Sequence, residues 1–151
     1  MALDLYEQTL DVLSAFAAAG VPYALAGGVA LAVHGVPRAT IDIDVLIPPE
    51  QAERALELAA GLGFSVVALP MRFADGTEVR RATRIAGEDA LTLDLLLAGP
   101  HLASAWNGRQ TVDTERGPVV VVSREGLIAM KAASGRPQDL ADIERLRELV
   151  R

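Results

Sequence analysis

The sequence predicts one α/β domain with a mixed β-sheet, flanking helices and two C-terminal helices, spanning residues 1–151. Three observations carry that reading. Aliphatic, β-branched runs such as "TIDIDVLI" and "ALTLDLLLAG" alternate with stretches of helical periodicity, the pattern of a layered α/β unit. Gly and Pro punctuate the joins between them. The chain has 151 residues and is 51% hydrophobic but only 4% aromatic, so one core is built chiefly from Ala, Leu and Val.

The elements follow in order. Leu3, Tyr6, Leu10, Leu13 and Phe16 recur at helical spacing, and Gly20 stops that helix. "PYALA" reads as a short strand. Gly27 and Gly28 turn the chain into a helix that ends near His34-Gly35. "TIDIDVLI" is a strand closed by Pro48-Pro49. "EQAERALELAAGLG" is an amphipathic helix, and "FSVVAL" the next strand. "MRFADGTEVRRATRI" reads as a hairpin turning at Asp75-Gly76. "ALTLDLLLAG" is a buried strand. "QTVDTE" and "PVVVV" pair as a second hairpin. Helices over 124–134 and 137–150 finish the chain. No repeat, low-complexity segment or linker interrupts this order.

Bulk properties exclude several classes. The formal net charge is -6, which argues against a general nucleic-acid coat. The chain has no cysteine, hence no disulfide framework and no thiolate metal site. Its two histidines, His34 and His101, are too isolated to suggest zinc. Val12 to Pro37 carries no Asp, Glu, Lys or Arg, but Gly20, Pro22, Gly27, Gly28 and Gly35 break it into short elements of a core. No basic stretch followed by an apolar run opens the chain, so neither a signal peptide nor a membrane span is expected. A cytoplasmic protein is.

The chemistry lies in three places. In a strand, residues i and i+2 share a face, so Asp42 and Asp44 point one way while Ile41, Ile43 and Val45 point the other. Two carboxylates roughly 7 Å apart can grip a hard cation. They can equally mark the solvated face of an edge strand. Asp94 is the one ionisable group in "LTLDLLL", with no Lys or Arg beside it in sequence. A lone buried carboxylate costs several kcal/mol unless paired or metal-bound. If its strand neighbours that of Asp42 and Asp44, three carboxylates converge; otherwise Asp94 ends a strand and caps a loop. Gly27-Gly28 follows a strand and opens a helix, where bare backbone N–H groups can approach phosphate.

Gly-Gly, a short helix, Asp-x-Asp on a strand and a lone Asp on a later strand resemble the polymerase-β-like nucleotidyltransferase superfamily. The stretch "GGVALAVHGVPRATIDIDVLI" is similar to the AbiEii/AbiGii toxin-type minimal nucleotidyltransferases. "LIAMKAASGRPQDLADIERL" adds that group's Lys, Arg and Asp-x-x-Asp. Lys131 there is the chain's one lysine among 14 basic residues. The resemblance covers about Pro22 to Leu146. One departure is Gly-Gly where many members have Gly-Ser.

The resemblance implies a nucleotidyltransferase fold and transfer of an NMP from an NTP to an acceptor hydroxyl. It implies two Mg²⁺ ions, or Mn²⁺, on Asp42, Asp44 and Asp94. Asp94, or water near it, would take the hydroxyl's proton. Gly27, Gly28, Arg38 and Lys131 would bind the nucleotide, with Lys131 on the triphosphate. Arg136 and Asp139 would form an ion pair that positions Lys131, and Asp142 would do the same or cap a helix. The acceptor would be a tRNA end, a protein or a small molecule, and an antitoxin or a second copy would be a partner. Arg72, Arg80, Arg81 and Arg84 give the hairpin a basic character that fits RNA phosphates or an ordinary solvated edge. A non-catalytic nucleotide- or partner-binding module on the same fold is the alternative.

Overall fold

The computed structural model describes residues 3–36 and 40–149. Arg38, expected at the nucleotide, lies outside the described residues.

Helix α1 (Leu5–Ala18) starts where the Asp4 side chain accepts the Glu7 N–H at 2.9 Å. It buries Leu10, Leu13 and Phe16 and ends before Gly20. Strand β1 (Ala24–Ala26) runs straight into α2 (Gly27–Val33). β2 (Asp42–Ile47) follows, then a single 3-10 turn over Pro49–Gln51 and α3 (Ala52–Gly61). The first hairpin is β4 (Met71–Arg72) with β5 (Glu78–Ala86), preceded by β3 (Phe64–Val67). β6 (Asp89–Leu97) leads to an element that sequence periodicity missed, a 3-10 turn over Pro100–Leu102 and α4 (Ala103–Asn107). Five residues are too few to show a helical period. The second hairpin is β7 (Gln110–Thr114) with β8 (Gly117–Val121). Two helices close the chain, α5 (Arg124–Ser134) and α6 (Pro137–Glu148). Gly135, at φ 70°, ends the first, and Pro137 opens the second. The expected end at Val150 lies outside the described residues.

The strands form one mixed sheet in the order β3-β5-β6-β2-β1-β8-β7, with β4 added to β5. β2 is central, antiparallel to β1 and parallel to β6. That removes the edge-strand explanation of the Asp alternation. Ile43, Val45, Leu93 and Leu95 are wholly buried beneath the carboxylate face. No helix among the described residues is long and apolar enough to cross a membrane.

Candidate active site

The sheet register builds the site. Asp44 stands opposite Asp94 on the parallel neighbour β6, and Asp42 opposite Thr92. Neighbouring strands lie about 4.8 Å apart, so the two facing carboxylates are close, with Asp42 one pleat along the same face. Asp94 lies inside its strand, which rules out the loop-capping alternative.

Asp94 is 3% exposed, and its cation is Arg81, directly across on β5. Arg81 Nε donates to Asp94 Oδ1 at 2.7 Å and Nη2 to Oδ2 at 2.9 Å, a bidentate clamp. Of the two ways to offset the burial of Asp94, pairing or a metal, the structure shows pairing. Its partner is 13 residues away in sequence and adjacent only through strand pairing.

One guanidinium does not balance three carboxylates. Burial, then the charges of Asp94 and Asp42, push Asp44 up to about 7, against the pull of Lys131 and Arg81. Burial and Asp94 likewise raise Asp42. Among the described residues no three His, Cys, Asp or Glu side chains stand ready as a metal cage. Both Asp94 oxygens are turned to Arg81 instead. The donor set itself is hard oxygen with surplus negative charge, which suits Mg²⁺ or Mn²⁺.

The glycines are there for steric reasons. Gly27 has φ 65°, and a Cβ on it would overlap the Asp44 carboxylate. A Cβ on Gly28 would come within 2.7 Å of Thr40 Cβ. Backbone thus passes directly beside the acidic face. No side chain caps the start of α2, so its leading N–H groups carry no side-chain partner.

Lys131 reaches the same place from α5. It lines one cavity with Gly27, Asp44 and Arg136. Its Nζ lies 3.0 Å from Asp142 Oδ2 and 3.4 Å from Asp139 Oδ1. Arg136 Nε donates to Asp139 Oδ2 at 2.7 Å, so the expected Arg136–Asp139 ion pair is present. The lysine side chain is 11% exposed, more deeply set than a surface residue. Burial pushes Asp139 up, but hydrogen bonds from Arg136 and Ser134 and the charges of Arg136 and Lys131 outweigh it. The carboxyl rests at about 2. A depressed folded value stabilises the protein above the ordinary value of 3.8 and ceases to as pH falls through about 2. Asp139→Asn should accordingly cost about 2 kcal/mol at pH 7, a cost shrinking between pH 4 and 2. Urea titrations across that range check this, and a pH-independent cost would count against it.

Other expected residues take structural roles. His34 Nε2 bonds the Val122 carbonyl at 2.8 Å. Thr40 Oγ1 contacts the Asp42 backbone at 3.4 Å. The four hairpin arginines engage partners within the chain. Arg72 pairs with Glu78, Arg80 with Glu53 and Arg81 with Asp94, while Arg84 bonds Gln8.

No family model and no curated protein matches the chain. Solved structures do. A candidate nucleotidyltransferase of Thermotoga maritima aligns over 98% of this chain and 96% of its own, at 16% identity and TM-score 0.65. The lincosamide antibiotic adenylyltransferase LnuA, solved with lincomycin bound, aligns over 95% and 97%, at 13% identity and TM-score 0.64. The antibiotic-resistance factor ANT(2'')-Ia aligns over 97% and 84%, at 22% identity and TM-score 0.60. At these identities the likeness is one of fold, and the chain has the mixed α/β nucleotidyltransferase fold that was expected. The similarity to toxin-type members rests on the sequence motif.

Proposed function

We propose that this chain is a metal-dependent nucleotidyltransferase that moves an NMP from an NTP to the hydroxyl of a small molecule. The observation that carries this is the register of Asp44 against Asp94, with Asp42 on the same face and the Gly27 backbone against Asp44. Asp42, Asp44 and Asp94 would hold two divalent ions. When bound, such ions stabilise charge on the attacking and leaving oxygens of an in-line displacement.

The chain's own groups do the rest. Backbone N–H groups at Gly27 and Gly28 hold the outer phosphates. Lys131 neutralises triphosphate charge. The acceptor oxygen attacks the α-phosphorus, and the bond to pyrophosphate breaks. Asp94, or water beside it, takes the hydroxyl's proton. Arg81 must then yield at least one Asp94 oxygen.

The small-molecule acceptor is favoured over RNA or protein. The hairpin arginines are spent on internal partners rather than aligned as a phosphate track. Two structural neighbours are antibiotic-modifying proteins, one solved with lincomycin and ANT(2'')-Ia in complex with adenylyl-2''-tobramycin. The toxin role and an antitoxin partner have only the motif behind them.

Each α-labelled NTP, incubated with the protein, Mg²⁺ and separate pools of hydroxylated small molecules, RNA and proteins, tests this. Label should enter the small-molecule pool. Asp44→Asn should abolish transfer. Its metal-free Tm should match the parent's or exceed it by about 3 °C, because one of three clustered charges is gone. A large fall in Tm would make Asp44 a structural partner instead. Mg²⁺-dependent NTP binding without transfer to any pool would favour the non-catalytic alternative, and label in RNA would replace the acceptor.

A further inference from the structure

The cavity beside Asp44 is lined by both polar and apolar groups. Gly27, Asp44, Lys131 and Arg136 share its lining with Phe73, Leu127 and Met130, and it encloses about 140 Å³. Phe73 is unusual within this chain. Phe16 and Phe64 are wholly buried, whereas Phe73 is 43% exposed. It is nevertheless held in place. Its N–H donates to the Thr77 carbonyl at 2.8 Å, and its carbonyl accepts the Gly76 N–H at 3.0 Å. Asp75 Oδ1 accepts the Thr77 N–H at 2.9 Å. Thr77 is buried and its hydroxyl bonds His101 Nε2 at 3.0 Å, fastening the turn to the segment after β6. An aromatic ring on a pinned turn, facing a cavity instead of the core, is built as a platform.

We propose that Phe73 is the stacking surface for the nucleobase of the NTP. The inference rests on the function proposed above and extends it to the base. A nucleotide joins a polyanion to a flat, weakly polar ring, and the cavity offers a surface for each. The phosphates meet Gly27 and Lys131, and the base meets Phe73, Leu127 and Met130. Each base has a π-face, so a platform of this kind holds all of them. Stacking by itself holds the four NTPs with similar affinity. The competing occupant is an apolar part of the acceptor.

Calorimetric titration without acceptor separates the two. The ligands are Mg²⁺ with non-hydrolysable analogues of ATP and CTP, and Mg²⁺ with tripolyphosphate. Phe73→Ala should weaken both analogues about tenfold or more and leave tripolyphosphate within about twofold of the parent. Phe73→Trp should keep the parent's affinity. Its indole fluorescence should be quenched by the analogues and not by tripolyphosphate; Trp106 is the one native tryptophan, so Phe73→Tyr serves as the baseline. Parent-like affinity of Phe73→Ala for the analogues overturns the proposal and leaves the nucleotidyltransferase reading standing. A parent that binds neither the analogues nor tripolyphosphate overturns both. Should Phe73→Ala fail to fold, the quenching in Phe73→Trp decides alone.

Discussion

Arg81→Met should destabilise the metal-free protein by about 3 kcal/mol, a fall in Tm of roughly 6–12 °C. Asp94 is buried, takes both guanidinium bonds and faces Asp44 across the strand pair. Without Arg81 its charge has Asp44 and Asp42 as neighbours and no cation across the strand. Breaking a buried pair from one side costs about 3–5 kcal/mol. The low end applies because the Arg81 side chain is 37% exposed, and water partly replaces it. Two controls assign the effect. Arg81→Met with Asp94→Asn should regain most of the loss, since no charge remains to be matched. Adding Mn²⁺ should raise the Tm of Arg81→Met more than the parent's, because a metal no longer competes with a guanidinium for Asp94. A single variant as stable as the parent would mean that Asp94 does not depend on its clamp. Equal Mn²⁺ responses would mean that arginine and metal do not compete for it.

Arg81 also shows where a sequence stops being legible. The acidic pair could be read because i and i+2 share a strand face whatever the topology. The Gly-Gly turn could be read because it follows a strand and opens a helix, and the structure adds that a Cβ at Gly27 would overlap Asp44. The helix over 124–134 was legible to the residue because Ser123 caps one end and Gly135 the other. What joined these pieces was strand register. Nothing local says that residue 81 faces residue 94, or that β2 sits mid-sheet between β1 and β6. Phe73 was equally silent. A phenylalanine beside a turn reads as core or surface, and only the folded hairpin turns it to the cavity.

Lys131 carries the other large expected effect, and the structure changes its form. As a phosphate contact alone, the residue could be removed at little cost to stability. It is instead set between Asp139 and Asp142, which are 1% and 4% exposed. Lys131→Ala should therefore cost about 3 kcal/mol of stability, because two buried carboxylates lose the ammonium between them. Nucleotide affinity should fall about tenfold or more as well, the value of a charge-assisted contact to phosphate. The two losses have different cures. Adding Asp142→Asn to Lys131→Ala removes one of the two charges the lysine matched, so part of the stability should return while affinity stays low. Lys131→Arg keeps the charge, but its planar fork fits a crowded three-donor position poorly and should recover affinity only in part. Chemical denaturation and calorimetry on these variants measure the two effects separately. If affinity returns together with stability in the double variant, Lys131 acts on the fold of α5 and α6 and makes no contact with the nucleotide.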